Sequence, residues 1–476
     1  MPASFDVVIA GGHVLDPANE IEQIADIGIR LGRIDEIRPG LANAGAQVID
    51  AAGRYVMPGH VDTHAHVSSI SDRGIDRAVG FKMLAESGTT TVLDLNGEPS
   101  HMAEGMKRRG AGLNVATVLS LVPYETIRED DPRPAVVRET LDRALQGGAI
   151  GLKIIGGYHP FTPEATAGIV EVANSQEAWI AYHVGSKGTG SQIEGLRQVP
   201  EIVGTGRLHV AHINSYTRGV ILPADEEVRE ALKILESMRG QVVTEAYLAQ
   251  INGTNGRCDE EGNLLADVPR NCLKLRGYEV NDRGMRQALL DGYGFAHAER
   301  AGRIELVTGE EAVRIWEAAG TNCGLSFPVN PATSAFALTT AKYPDGTFRI
   351  DAISTDGGSL PRNVAVERAF ALVRFGALSP LEAAHKLSYA PSKMLGLPRK
   401  GHFSPGADAD VTIVDPVSGK AATSLVRGEV IMKDGRSVAE GGTWLVTERG
   451  VKAAENAGLP HEVIDLTVSQ LYAGWA

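Results

Sequence analysis

The apolar positions of this chain fall into two textures. From Phe5 to about Pro58, short β-rich runs (FDVVIAGG, ADIGIRLGRIDEI, QVIDAAGRYVM) are separated by Gly, Asn and Pro, with no long helical period between them. They predict an antiparallel β-unit. Near the other end, GADADVTIVDP and ATSLVRGEVIMKDG restore the same texture. The two ends are therefore expected to pair into one small β-sandwich around an inserted domain. Within that domain the runs TTTVLDL, NVATVLSLV, GLKII, WIAYHV, LHVAHI, QVVTEAYL and FRIDAISTD alternate with helical stretches such as PEATAGIVEVANSQ and DEEVREALKILESM. Strand then helix, repeated about eight times, calls for parallel strands with crossover helices, so an α/β fold built on a (β/α)8 TIM barrel is expected. The expected boundaries are residues 1–56 and 396–440 for the two parts of the β-sandwich, 57–395 for the barrel and 441–476 for a C-terminal tail. In the tail, LPHEVIDLTVSQLYAGW is compatible with a capping helix or an oligomer contact.

Barrel geometry places chemistry at the C-terminal ends of the strands, where the following loops converge. In VMPGHVDTHAHV, His64 and His66 stand two apart on an extended chain and project from one face, so two imidazoles can share one cation. GLKII places Lys153 inside an apolar strand, where an unpaired ammonium would be costly to bury. Either it reaches solvent past the helices, or it is neutralised by reaction with CO2 to an anionic carbamate whose two oxygens can bridge two metals. WIAYHV ends near His183 and LHVAHI near His212, each at the same position of successive strand–helix units. Neutral imidazole is a standard ligand for zinc-like ions. RIDAISTDGG ends the last candidate strand with Asp356, and the two glycines after it let backbone and substrate approach closely. A carboxylate there can bind a metal and also accept a proton.

Composition narrows the class without naming a substrate. The 476 residues are 43% hydrophobic and 22% charged, as in an ordinary globular protein with one large and one smaller domain. A formal charge of -13 argues against a nucleic-acid partner. Cys258, Cys272 and Cys323 are odd in number and lack paired spacing, which suggests structural thiols in a reduced compartment. The start MPASFDVVIAGGHVLD has no secretory pattern and no apolar run reaches membrane-span length, so the expectation is a cytoplasmic protein with no membrane partner.

His-x-His, Lys, His, His and Asp, in this order at the ends of strands one, four, five, six and eight, resemble the binuclear amidohydrolase pattern of hydantoinases, dihydroorotases and isoaspartyl dipeptidases. The resemblance covers nearly the whole chain. It implies a hydrolase acting on a small molecule, in a homo-oligomer (dimer or tetramer), with two divalent metal ions, zinc first and Mn2+, Fe2+ or Co2+ as alternatives. His64, His66 and Asp356 would hold the more buried ion, and His183 and His212 the more exposed one. Carbamylated Lys153 and a hydroxide would bridge both, with Asp356 passing the proton from the water to the leaving nitrogen. Tyr158, five residues after Lys153, stands where hydantoinases carry an oxyanion donor, although a rim tyrosine packed on a loop has the same spacing. His159, Asn214, Tyr216, Arg218 and Ser359 are candidate substrate contacts, Arg218 to a carboxylate or to a surface salt bridge. Lys187, Glu245 and Tyr247 are further rim candidates, and His60 and Asp62 are expected to orient the histidine pair.

A one-metal deaminase would dispense with Lys153 and place a glutamate shortly after a later histidine, which HVGSKG and HINSYT lack. D-aminoacylases typically use a cysteine ligand, and phosphotriester hydrolysis, which shares these ligand types, ranks lower because the flanking β-unit and PGHVDTHAH resemble the hydantoinase and dipeptidase branch. A non-catalytic assembly protein of the dihydropyrimidinase-related type would require missing ligands, and all six are present. The expected reaction is hydrolysis of an amide C–N bond, first in a cyclic amide, imide or ureide. HVGS and TDGGS are nearer to isoaspartyl dipeptidase, which keeps an N-acyl amino acid or β-linked dipeptide as the alternative.

Overall fold

The computed structural model describes residues 4–68 and 75–474. Eight parallel strands follow one another around a barrel: His60–His66, Thr89–Asp94, Ala111–Thr117 continued by Leu119–Leu121, Gly151–Ile155, Trp179–His183, Leu208–Val210, Val242–Tyr247 and Ala352–Ser354. Register pairs such as Thr91↔Asn114, Leu152↔Leu119, Ala181↔His209 and Glu245↔Ala352 run the ladder from strand two to strand eight. Past strand eight, Gly357 and Gly358 pair with Ala65 and His66 of strand one, so the first and last strands meet. Strand residues alternate strictly. Leu152, Ile154, Ile180, Tyr182, Leu208 and Val210 pack outward against the helices, while Trp179, Ala181, Val243 and Ala352 face a separate inner core. The crossover helices start where the sequence supplies a stop for the strand and a start for the helix. Pro99, Pro134 and Pro163 sit in first turns, and the Thr162 hydroxyl accepts from Ala165 N at 3.2 Å.

Both ends of the chain contribute to one nine-stranded sheet, joined where Val411–Val414 pairs antiparallel with Tyr55–Pro58. The N-terminal unit differs from the antiparallel expectation. Phe5–Asp16 pairs antiparallel with Ile21–Arg30, but its other edge takes Gly45–Asp50 and Tyr55–Pro58 in parallel. The short 3-10 turn Ala42–Ala44 carries the chain across, and parallel pairing requires such a crossover.

Two segments depart further from the pattern. Between strands seven and eight, Thr254–Asn255, Phe295–Arg300, Arg303–Val307 and Gly324–Ser326 form a separate antiparallel sheet. Helices Asp267–Lys274, Asp282–Leu290 and Gly309–Ala318 cover it, around a core that includes Leu264, Leu289, Trp316 and Phe327. Among the described residues the tail contains no long capping helix. Gly441–Val446 pairs in parallel with strand three and then with His461–Val463, while Leu445, Ile464, Leu466 and Leu471 pack with Trp179, Ala181, Val243 and Ala352. It thereby fills the inner core at the end of the barrel opposite the strand C-termini, because Trp179, Val243 and Ala352 lie at the starts of strands five, seven and eight. All three cysteines are free thiols. No helix among the described residues is long and apolar enough to cross a membrane.

Candidate metal centre

Strand geometry brings the six expected donors together. His64 and His66 leave strand one, Lys153 is the third residue of strand four, and His183 is the last of strand five. His212 and Asp356 lie two residues past strands six and eight, and both have positive φ, 35° and 47°. Left-handed backbone at non-glycine residues is strained and persists only where surroundings impose it. Here His212 N donates to Glu245 Oε1 at 2.8 Å, and Asp356 N donates to His64 O at 2.8 Å while its own carbonyl accepts from Arg362 Nε.

His66 Nε2 and His64 Nε2 lie 2.8 and 3.3 Å from Asp356 Oδ1, and Lys153 Nζ is 3.1 Å from His64 Nε2. His212 Nε2 is 3.1 Å from His183 Nδ1, and the His64 and His212 rings stack at 4.9 Å between centroids. One ligand atom each of His64, His212 and Asp356 falls within 4.8 Å of the others. The remaining ring nitrogens explain the orientation. His183 Nε2 is engaged by Ser191 Oγ at 2.8 Å, which turns Nδ1 inward, and His64 Nδ1 is engaged by Glu245 Oε1 at 2.7 Å, which turns Nε2 inward. Behind strand one, Asp62 accepts from Thr355 N and His64 N, both at 3.1 Å, and His60 Nδ1 meets Thr89 Oγ1 at 3.0 Å. Asp94 accepts from Val67 N at 3.1 Å and from the Ser68 and Thr117 hydroxyls, securing the chain just after His66.

Burial, followed by the nearby Lys153 charge, drives the His64 and His183 imidazoles down, His183 to about 3; burial does the same to His66 and His212. In all four the buried surroundings favour the neutral imidazole. Burial also pushes the Lys153 amine down to about 8 and the Asp62 carboxyl up to about 7. Burial opposes ionisation of Asp356, but the Arg362 guanidinium, 2.8 Å from its Oδ2, and the neighbouring imidazoles hold it well below the usual carboxylate range. Neutral imidazoles that point lone pairs at one another, beside a carboxylate and an amine, form a donor set short of protons. That donor set fits divalent cations of the zinc type.

The donors close the inner end of a cavity of about 240 Å³. Tyr158, His159 and Ser359 line it, together with Asn96, Arg77 and Arg362, and the inserted segment adds Thr254, Asn255, Arg257 and Asn322. Tyr158 Oη donates to Gly253 O at 3.2 Å, and its ring stands edge-on to His183 at 5.7 Å. Asn214, Tyr216 and Arg218 are not part of this lining among the described residues. Asn214 Oδ1 accepts from Tyr247 N at 3.0 Å, and Tyr216 Oη bridges Val184 N and Ala211 O at 2.9 Å each. Arg218 donates to Asn330 Oδ1 at 2.8 Å and to Tyr247 Oη at 3.1 Å. Lys187 is tied at the surface to Asp130 and Asp131. Glu245 is not on the rim but fully buried against His64. Arg362 and Asn96 escaped notice in the sequence, although each follows a strand-end carboxylate, Asp356 and Asp94, within a few residues. Arg77, Thr254 and Arg257 carry no comparable signal, since only the tertiary fold brings them to the cavity.

The profile of the amidohydrolase family matches residues 55–241 and 335–440, leaving out strand seven and most of the segment that follows it. The dihydroorotase of Trichlorobacter lovleyi is 26% identical over 464 residues, spanning 87% of this chain and 90% of its own. That of Pelotomaculum thermopropionicum is 26% identical over 441 residues, spanning 86% and 89%. Among solved structures, N-acyl-D-glutamate deacylase from Bordetella bronchiseptica, complexed with zinc and a phosphonate inhibitor, superposes with a TM-score of 0.65 at 17% identity, over 97% of this chain and 99% of its own. A D-hydantoinase gives a TM-score of 0.59 at 16% identity, over 92% and 98%. These superpositions show a shared fold. The family match covers more than half of the chain, and its two segments carry His64, His66, Lys153, His183, His212 and Asp356, so this chain belongs to the amidohydrolase family.

Proposed function

We propose that the chain hydrolyses an amide C–N bond in a small substrate, first a cyclic amide, imide or ureide. The observation that carries this reading is the convergence of six donors from five strands at the inner end of a cavity with Tyr158 in its wall. His64, His66 and Asp356 would hold one divalent cation and His183 and His212 a second, with Lys153 carbamylated between them. Zinc is the first choice of metal. The chemistry supplied by the bound cations is polarisation of the scissile carbonyl and acidification of the attacking water.

The chain's own groups complete the reaction. Asp356 turns Oδ1 toward the histidines while Arg362 secures Oδ2, so one oxygen is positioned to take the proton of the attacking water and return it to the leaving nitrogen. Burial pushes the Tyr158 phenol up to about 12, which keeps its proton available for donation to the developing oxyanion. Arg257 in the cavity wall favours a substrate that carries a carboxylate. That supports the second reading, an N-acyl amino acid or isoaspartyl dipeptide, and a ring amide bearing a carboxylate satisfies both the tyrosine and Arg257. The dihydroorotase relatives agree with such a ring. The test is a hydrolysis panel of hydantoins, dihydropyrimidines, dihydroorotate, N-acyl amino acids and β-aspartyl dipeptides, with metal content measured on the same preparation. Ring opening with two metals per chain is expected. Cleavage of linear amides alone would replace the first reading by the second, and absence of both metal and hydrolysis would sink both.

A further inference from the structure

Glu245 lies on strand seven with its side chain wholly buried, and no step of the proposed reaction uses it. Its Oε1 accepts from His64 Nδ1 at 2.7 Å and from His212 N at 2.8 Å, and its Oε2 is in short contact with His209 Nε2. His209 is itself buried, edge-on to Trp179 at 5.3 Å. One carboxylate oxygen therefore grips a donor on strand one through its ring and a donor after strand six through its backbone. Oε1 already accepts from His212 N, and the 2.7 Å contact to the ring is made with His64 Nδ1 as a second donor to the same oxygen. The ring's Nε2 is then a lone pair aimed between Asp356 and Lys153. The bond to His212 N restrains the left-handed backbone that turns that imidazole toward His183.

We propose that Glu245 is a positioning residue for both cation positions, fixing the tautomer of His64 and the backbone of His212; this rests on the metal centre proposed above. A hydrogen-bonded carboxylate behind a metal-binding imidazole fixes ring orientation and raises its basicity, and losing one typically lowers metal affinity about 10- to 100-fold. Glu245→Gln keeps the shape and an accepting oxygen but removes the charge. It should fold as the wild type does and lose zinc affinity by about 10- to 100-fold in competition with a chromophoric chelator. His209→Gln, which changes only the outer partner, should lose much less. The independent readout is the nitrogen spectrum of 15N-histidine-labelled, metal-free wild type, where His64 should be protonated on Nδ1 between pH 6 and 8. This measurement needs no variant, so a Gln protein that failed to fold would leave the inference testable. An Nε2-protonated His64, or wild-type zinc affinity in Glu245→Gln, overturns it. Failure of the wild type to bind zinc would instead refute the metal centre itself.

Discussion

Carbon dioxide adds to a neutral amine and not to an ammonium: Lys-NH2 and CO2 give Lys-NH-COO− with release of one proton. Lys153 is buried with His64 Nε2 at 3.1 Å, and no carboxylate lies within 4 Å of its nitrogen among the described residues. Burial favours the uncharged form, and the amine is pushed down from 10.5 to about 8. At pH 7 an amine of 10.5 is neutral in about one chain in 3000 and one of about 8 in roughly one in ten, a gain of about 300-fold in the reactive form. The sign follows directly: the reactive fraction grows as pH rises and saturates above about 8. Protein stripped of metal and carbamate by chelator at low pH, then reconstituted with zinc at fixed dissolved CO2, should regain activity at a rate rising about tenfold per pH unit below that value and flat above it. Labelled 13CO2 should give one carbamate signal per chain, absent from Lys153→Ala. Reactivation that ignores CO2, or that keeps climbing through pH 10 like a solvent-exposed lysine, would refute the carbamate.

Asp356→Asn removes the proton acceptor and should lower kcat by about 10²- to 10⁴-fold while zinc still binds at His183 and His212, as read by steady-state kinetics beside metal analysis. Tyr158→Phe should lower kcat by about 10²- to 10³-fold with both metals retained, so a variant of undiminished kcat would return Tyr158 to a packing role. Leu466, buried in the inner core beneath strands five, seven and eight, should cost about 2–5 kcal/mol on truncation to Ala. Urea unfolding would measure this loss, and turnover per folded molecule should remain that of the wild type.

The six candidate donors were legible because two rules act on the same positions. The barrel puts function at strand ends, and His64, His66, Lys153, His183, His212 and Asp356 are polar residues in or just after apolar runs. Glu245 obeys the same rule, as a glutamate inside VVTEAYL on the inward-facing register, yet sequence alone could not say that it lies against His64, two strands away around the ring. Asn214, Tyr216 and Arg218 show the opposite limit. All three follow His212 closely, but the 3-10 turn Ile213–Tyr216 rolls Asn214 and Tyr216 back into the packing between strands five, six and seven. Proximity in sequence to a ligand does not fix which way a loop side chain turns.

The segment after strand seven was opaque for a different reason. Its hairpin Phe295–Val307 and its helices of eight to ten residues have the periodicity of another strand–helix unit, and periodicity does not reveal which sheet a strand joins. The family profile is silent across most of the same stretch, yet Thr254, Arg257 and Asn322 from it stand in the cavity wall opposite donors that the profile covers. The six candidate donors sit at or near strand ends, whereas these wall residues come from a segment whose sheet lies apart from the ring. The cavity thus takes its donors from the barrel strands and part of its outer wall from a segment that pairs with none of them.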